Sequence, residues 1–253
     1  MSNSVAIVTG ASSGIGRATA LRLAHEFGAI VLVARSEEKL GEVGQQAKAI
    51  GAEALVLELD LMAPRSAEFV VKETLDRFGR IDALVNIAGA VGVFQMTDEQ
   101  WNTGMELKFH GARRLTIRAW DALRESKGTV VFISGNAAVI PRAGAAAVGA
   151  INAAIEALAK AFAERGIEDG VQVNSVSPGA VMTGRRLSML ERAAASKKIT
   201  LEDAKQQFLK QAGIARFGET EEIADLMAFI VSPAARWMTG TVLRMDGGEV
   251  KSV

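Results

Sequence analysis

The glycine-rich stretch TGASSGIG, residues 9–16, constrains the fold of this chain more than any other part of it. It follows an apolar run at residues 5–8 and opens an amphipathic stretch, so we predict a strand, a glycine turn and a helix. Glycine lacks a Cβ atom, which lets the backbone approach a ligand, and N–H groups at a helix N-terminus face an anion. The spacing is Gly-x3-Gly-x-Gly and not Gly-x-Gly-x2-Gly, but its place at the first strand-to-helix turn favours a pyrophosphate site over a plain turn.

Strand and helix signals alternate along the rest of the chain. Further strands are predicted at residues 30–35, 54–59, 83–85, 130–134, 171–176 and 241–245, with helical patterns between them. This alternation implies βαβ units and an α/β fold with a parallel sheet covered on both faces. A chain of 253 residues, 49% of them hydrophobic, is expected to form a single domain over residues 1–253. Within it, the charged helical stretch 184–213 is predicted to be a mobile lid.

The composition excludes several kinds of site. Without cysteine there is no disulfide, thiolate nucleophile or cysteine metal site, and two distant histidines make a structural zinc site unlikely to form, so no metal is expected. Lysine plus arginine (29) balances aspartate plus glutamate (29), which disfavours nucleic acid and anionic membranes as partners. Residues 1–4 lead straight into a strand, and Asn152, Glu156 and Lys160 interrupt the apolar stretch 143–163. We therefore expect neither a signal peptide nor a membrane span, and a cytoplasmic protein.

Six separated motifs resemble those of the short-chain dehydrogenase/reductase family across nearly the whole chain. They are TGASSGIG at Thr9, Asp60-Leu61, NIAG at Asn86, NSVSPGAVMT at 174–183, RFGETEEIA at Arg216 and TGTVLRMDGG at Thr239. The resemblance implies a single-domain, Rossmann-type, doubly wound parallel sheet of seven strands with helices on both faces, and a nicotinamide cofactor. It also implies a homodimer or homotetramer, built on long helices that begin near Thr97 and Ala143.

The same resemblance assigns the cofactor-binding residues. The pyrophosphate is expected on Gly10, Ser12, Ser13, Gly14, Ile15 and Gly16, the adenine beside Asp60 and Leu61, the ribose along Asn86, Ala88 and Gly89, and the nicotinamide carboxamide against Pro178, Gly179, Val181 and Thr183. A competing interpretation is that some of these residues, Asn86 and Asp60 above all, only stabilise turns.

Arg35, at the end of the second predicted strand, indicates which nicotinamide cofactor the chain prefers. A carboxylate at this position binds the ribose 2′-hydroxyl of NAD, whereas a cation accommodates the 2′-phosphate of NADP. Arginine suits bidentate phosphate recognition, and Arg17 is expected nearby. We therefore predict NADP(H) in preference to NAD(H), against the alternative that Arg35 is an ordinary surface residue.

The catalytic residues of the family are replaced at all four positions. The family places an Asn in the first long helix, a Ser after the fifth strand, and a Tyr-x3-Lys pair in the next helix. Those positions hold Lys108, Gly135, Val148 and Asn152, and the chain contains no tyrosine. Ser134 lies one residue early and is expected to point elsewhere, because successive strand residues face opposite sides.

Four groups of polar residues leave alternatives open. A Lys108 side chain desolvated near the cofactor could replace the missing acid or base, its charge could replace that of the missing lysine, or it could extend to solvent. Asn152 is interpreted either as a ribose ligand or as a packed amide, and His110 as a surface residue. The lid cations Arg185, Arg186, Arg192, Lys197 and Lys198 are interpreted as a solvated helix face in preference to an anion site.

Two functions follow from these observations. The first is an NADP(H)-dependent oxidoreductase that acts on a small carbonyl or alcohol substrate, with Lys108 or water supplying the proton. The second is a non-catalytic cofactor-binding sensor, or a partner subunit that pairs with an active relative. The persistence of the glycine turn supports cofactor binding in both, and the missing tyrosine separates them.

Overall fold

A computed structural model describes residues 3–89 and 97–252, so the sequence stretch at residues 1–4 lies partly outside it. The strands are β1 (Val5–Thr9), β2 (Ala29–Ala34), β3 (Glu53–Glu58), β4 (Ala83–Asn86), β5 (Thr129–Ile133), β6 (Gln172–Pro178) and β7 (Val242–Met245). They form one parallel sheet in the order β3-β2-β1-β4-β5-β6-β7. The predicted seven-stranded, doubly wound α/β fold is confirmed.

The helices cover both faces of this sheet. They are α1 (Gly14–Leu23), α2 (Glu37–Ile50), α3 (Ser66–Phe78), α4 (Asp98–Gly104), α5 (Ala112–Ser126), α6 (Ala146–Asp169), α7 (Gly184–Lys197), α8 (Leu201–Ala212) and α9 (Thr220–Val231). Alternate residues of β1 enter two separate cores: Val5 and Ile7 on one face, Ala6 and Val8 on the other. A strand buried on both faces therefore reads as a continuous apolar run, as residues 5–8 do.

The strand order reverses between β1 and β4, where the chain crosses from one half of the sheet to the other. In open α/β sheets, ligands bind outside the carboxyl ends of the strands at such a switch point. The Thr9 hydroxyl joins the two ends there, because its oxygen accepts hydrogen bonds from the N–H groups of Ile87 and Ala88, both at 3.0 Å. The fold thus places a cleft directly above the glycine turn.

A π-helical turn, Met105–Gly111, separates α4 from α5. The sequence predicts one long helix from Thr97, and its predicted start is confirmed by a capping box between Thr97 and Gln100. The helix does not continue regularly, because the backbone widens at the stretch MELKFHG. Wide turns of this kind occur frequently at functional sites, and this one carries Lys108.

Helix α6 and the turn before it, Ala143–Asp169, are long and apolar enough to span a membrane by length and composition. Core helices of soluble proteins pass the same test, so this is weak evidence for a span. Ile155, Ala159 and Ala163 of this helix lie in the same apolar core as β5 and β6. The stretch therefore packs on the sheet as a core helix, as the sequence predicts.

The stretch 184–213, called the lid segment below, folds into α7 and α8. The Thr183 side chain caps α7 by accepting a hydrogen bond from the N–H of Arg186 at 3.1 Å. A small apolar cluster that includes Ala180, Ala212 and Ile214 holds the end of α8 to the body of the protein. The helical character of the segment agrees with the sequence, and its mobility stays a prediction.

Candidate functional site

A cleft of about 1440 Å³ opens at the carboxyl ends of the strands, under the lid segment. Ligand pockets commonly measure about 300–1,000 Å³, so this cleft has room for a dinucleotide and a small second molecule. It brings together nearly all the residues predicted to bind the cofactor. They are Gly10, Ser12, Ser13, Gly14, Ile15, Gly16, Arg35, Asp60, Leu61, Ala88, Gly89, Asn152, Pro178, Gly179, Val181 and Thr183.

The glycine turn has the geometry of a cradle for an anion. Gly10 and Gly14 adopt φ angles of +70° and +53°, in the region that side chains disfavour. A Cβ atom on Gly16 would overlap the carbonyl oxygen of Gly10. Ser13 stands at the N-cap of α1, but its side chain accepts no hydrogen bond from the first turn. The N–H groups of that turn therefore remain available for a phosphate.

Asp60 and Asn86 both have structural roles. The Asp60 carboxylate accepts a hydrogen bond from the N–H of Met62 at 2.9 Å, and Asp60 also lines the cleft. Asn86 differs from the other predicted cofactor residues, because it is buried behind the cleft lining and donates to the Thr116 hydroxyl at 3.3 Å. Its side chain therefore supports the wall that Ala88 presents to the cleft.

A second cation accompanies Arg35 at the end of β2. Lys39, in the first turn of α2, lines the cleft together with Arg35 and Ser36, and neither cation forms an ion pair with a described residue. Arg17 instead donates to the Gln46 side-chain oxygen at 2.8 Å and does not line the cleft. The sequence signal for Lys39 is its position, four residues after Arg35 and in the first turn of the helix that follows β2.

Lys108 points into the cleft, so the interpretation that it extends to solvent is wrong. Its ammonium donates to the carbonyl oxygen of Ser134 at 3.0 Å and to the side-chain oxygen of Asn152 at 2.5 Å. Gly89 makes room for its aliphatic stem, because a Cβ atom there would lie 3.0 Å from Cδ of Lys108. An ammonium has three donors, so these two contacts leave one for a ligand.

The electrostatic surroundings make this lysine easier to deprotonate than usual. The pKa of Lys108 is lowered to about 8, chiefly by burial of the ammonium and then by the positive charge of Arg185, while Glu156 opposes both. A group with a pKa near neutrality can give and take a proton in turn. Lys108 is thus the titratable group at the centre of the site.

The other positions of the missing catalytic set supply no proton. Gly135 and Val148 line the cleft, and the buried Asn152 accepts a hydrogen bond from Lys108 at its side-chain oxygen. Asn152 also lines the cleft, and its role as a ribose ligand stays a prediction. The Ser134 hydroxyl donates to Glu156 at 2.7 Å, away from Lys108, which binds only the Ser134 backbone. His110 does not line this cleft.

The lid segment contributes cations to the cleft, which corrects their interpretation as a purely solvated face. Arg185, Arg186 and Lys197 line the cleft, whereas Arg192 and Lys198 do not. Helix α7 directs its first turn and one of its stripes inward, which helical periodicity alone could not distinguish from the solvent side. Within residues 3–89 and 97–252, no cluster of histidine and carboxylate side chains is suited to a metal ion.

Comparisons with known proteins cover almost the entire chain. A protein-family model described as enoyl-(acyl carrier protein) reductase matches residues 10–249. The chain is 29% identical over 248 residues to 3-oxoacyl-(acyl-carrier-protein) reductase FabG of Staphylococcus aureus, covering 96% of both chains. It is 32% identical over 258 residues to the uncharacterized oxidoreductase YvaG of Bacillus subtilis, covering 98% of this chain and 96% of that protein.

Solved structures show the same architecture. L-sorbose reductase from Gluconobacter frateurii, complexed with NADPH and L-sorbose, is similar with a TM-score of 0.95 and 29% identity, over 100% of this chain and 98% of that one. An NAD+-bound xylitol dehydrogenase is similar with a TM-score of 0.90 and 28% identity, over 98% and 99% of the two chains. Relatives with this fold therefore include proteins bound to either nicotinamide cofactor.

Proposed function

The chain belongs to the short-chain dehydrogenase/reductase family, and on that premise we propose an NADP(H)-dependent oxidoreductase that acts on a small carbonyl or alcohol substrate. The observation that carries the proposal is the Lys108 ammonium, held inside the cleft by Ser134 and Asn152 at the place where the family's proton-transfer residues are missing. The experiment that tests it is single-turnover oxidation of NADPH with candidate carbonyl compounds, followed at the nicotinamide absorbance band.

The described residues fit a dinucleotide. A Cβ atom would fill the cradle at Gly16, the N–H groups of the first turn of α1 face the cleft, and Pro178 and Thr183 line its far end. The nicotinamide cofactor supplies a hydride to a carbonyl carbon, or accepts one from an alcohol. The chain has to orient the substrate and to supply or remove the hydroxyl proton, and we assign the proton to Lys108.

NADP(H) is the preferred cofactor in this proposal, because Arg35 and Lys39 flank the end of β2. Replacing Arg35 with serine is expected to weaken NADPH binding about 10- to 100-fold, since a hydrogen bond to a charged group contributes about 1.5–3 kcal/mol. NADH binding should be nearly unchanged. Calorimetric titration with both cofactors measures the two effects. Arg17→Ser, a cation outside the cleft, is the matched control, and equal losses for NADPH and NADH would contradict the assignment.

The alternative proposal is a non-catalytic cofactor-binding sensor or the partner subunit of an active relative. It is favoured by Gly135 and Val148, which line the cleft at the positions where the family has its serine and tyrosine hydroxyls. In that case the protein would bind NADPH tightly and oxidise none of it in a single turnover. Co-purification with a relative that retains the catalytic tyrosine would support the partner-subunit form.

We also propose a cytoplasmic homodimer or homotetramer, built first on α5 and α6. The exposed edge of the sheet supports a second contact between subunits. The indole of Trp237 is 98% exposed there, and β7 presents Val242 and Met245 to solvent. Replacing Trp237 with serine is expected to reduce a tetramer to a dimer, because large aromatic side chains carry much of the binding energy at interfaces. Light scattering after size exclusion measures the mass, and an unchanged tetramer would exclude this edge.

A further inference from the structure

The end of the cleft beneath the lid segment is both cationic and apolar. Arg142, Arg185, Arg186 and Lys197 line it, and Glu249 is the one carboxylate that the described lining residues place there. The walls between these charges include Val148 and Met189. A surface of this kind is complementary to an anionic molecule with an apolar body.

Arg186 is held in position for a ligand. The Thr183 cap fixes its backbone N–H, and its guanidinium carbon lies 4.8 Å from the centre of the Phe208 ring on α8. Stacking on an aromatic ring orders a guanidinium while leaving its N–H donors free at the edge. Arg186 forms no ion pair with any residue in the described part of the chain.

The placement of this charge is unfavourable for the protein alone. Arg185 and Arg186 occupy the first turn of α7, which contains no acidic residue, and the helix macrodipole opposes cations at that end. Burial lowers the pKa of both arginines, and Arg185 adds to the effect on Arg186 while Glu249 opposes it. An anion bound beside Arg186 would offset these costs, because it would face a guanidinium group and a helix N-terminus together.

We propose that this end of the cleft binds the acid group of the substrate, a carboxylate or a phosphate, through Arg186 with Arg185 beside it. The apolar body of the substrate packs against Val148 and Met189, and its carbonyl lies toward Lys108. This inference rests on the proposed oxidoreductase function, since it names the substrate class of that same site. The substrate class is thus a small carbonyl acid, or the corresponding hydroxy acid.

The pyrophosphate of the cofactor is the alternative ligand for Arg185 and Arg186. Thr183 lies close to the glycine turn, since a Cβ atom on Gly14 would lie 3.4 Å from its methyl group. The two occupants are separated by measuring anion binding to protein already saturated with NADP+, and NADPH binding itself, in the same variants.

The experiment uses three probes at constant ionic strength: 4-oxopentanoate, the neutral ketone 2-pentanone, and inorganic phosphate. Calorimetry on the protein saturated with NADP+, which cannot reduce either ketone, is expected to detect 4-oxopentanoate but not 2-pentanone. Arg186→Met, which keeps an unbranched apolar stem but removes the guanidinium, should weaken 4-oxopentanoate binding about tenfold or more, and Arg186→Lys should restore part of it. Lys210→Met, on the exposed side of α8 and outside the cleft, is the matched control and should change nothing.

Other outcomes are equally informative. Phosphate binding that is tighter than 4-oxopentanoate binding and is lost in Arg186→Met would support the site and identify phosphate as the acid group. Equal binding of 4-oxopentanoate and 2-pentanone, or a loss in Arg186→Met confined to NADPH, would overturn the inference. Reduction of 2-pentanone without anion binding would overturn it while leaving the oxidoreductase function intact. Anion binding without any NADPH oxidation would contradict the function and keep the site.

Discussion

Replacing Lys108 with alanine is expected to lower kcat/KM about 10²- to 10⁴-fold, the usual contribution of one general acid or base. No other residue that lines the described catalytic end and replaces a family position can supply the proton, since Gly135, Val148 and Asn152 have no ionisable group. NADPH affinity should change little, because the ammonium contacts Ser134 and Asn152 and lies away from the glycine turn. The measurement combines NADPH titration with steady-state kinetics on one carbonyl substrate.

The proposed role of Lys108 also predicts how the rates of reduction and oxidation change with pH. Reduction requires the protonated ammonium, so the rate of the wild-type protein should fall as the pH rises through about 8, and alcohol oxidation should rise over the same range. Burial of the ammonium lowers the pKa of Lys108 most, the charge of Arg185 lowers it further, and the charge of Glu156 opposes both, so these three set the midpoint. Lys108→Ala should lose this dependence, whereas Lys48→Ala, on the exposed side of α2, should keep it. If Lys108→Ala kept full activity and an unchanged pH profile, Lys108 would not be the proton donor, and water would take that role.

The second large effect is expected from a single methyl group at the glycine turn. Gly16→Ala should lower the free energy of unfolding by about 1–3 kcal/mol, because its Cβ atom would overlap the Gly10 carbonyl. The unfolding midpoint should fall by roughly 2–12 °C, and NADPH binding should weaken sharply as the turn shifts.

A matched glycine separates the turn from a general effect of alanine. A Cβ atom on Gly41, in the interior of α2, would meet nothing within 4 Å. Gly41→Ala should therefore raise the free energy of unfolding by roughly 0.5–1 kcal/mol, because alanine is the better helix former. If thermal unfolding gave the two variants the same sign, the collision at Gly16 would not be the cause.

The sheet could be predicted from the sequence, because each strand is specified by the residues within it. The run at residues 5–8 is apolar throughout, and a strand buried on both faces has to be. The conformation of the glycine turn is likewise specified locally, since its positive φ angles favour glycine at particular positions. The cofactor half of the site follows from these two features.

The catalytic half depends on contacts between distant segments. Whether Lys108 points inward is decided by the space above Gly89 and by an acceptor on Asn152, 44 residues away. The inward face of α7 is decided by Phe208 on another helix. Helical periodicity shows that a stripe exists but not which surface it meets, so the sequence alone cannot place Arg185 and Arg186 in the cleft. The π-helical turn has the same origin, since its sequence pattern is that of an ordinary helix.

The hydrogen bond between Lys108 and Asn152 also limits which pairs of residues these two positions can hold. The family arrangement has the amide on the first helix and the ammonium on the second, and this chain has the reverse. Ammonium groups at both positions would bring two like charges into contact in a partly buried place, whereas two amides could still hydrogen-bond. Of the single substitutions between the two arrangements, the one that leaves two amides is therefore less costly than the one that leaves two ammonium groups.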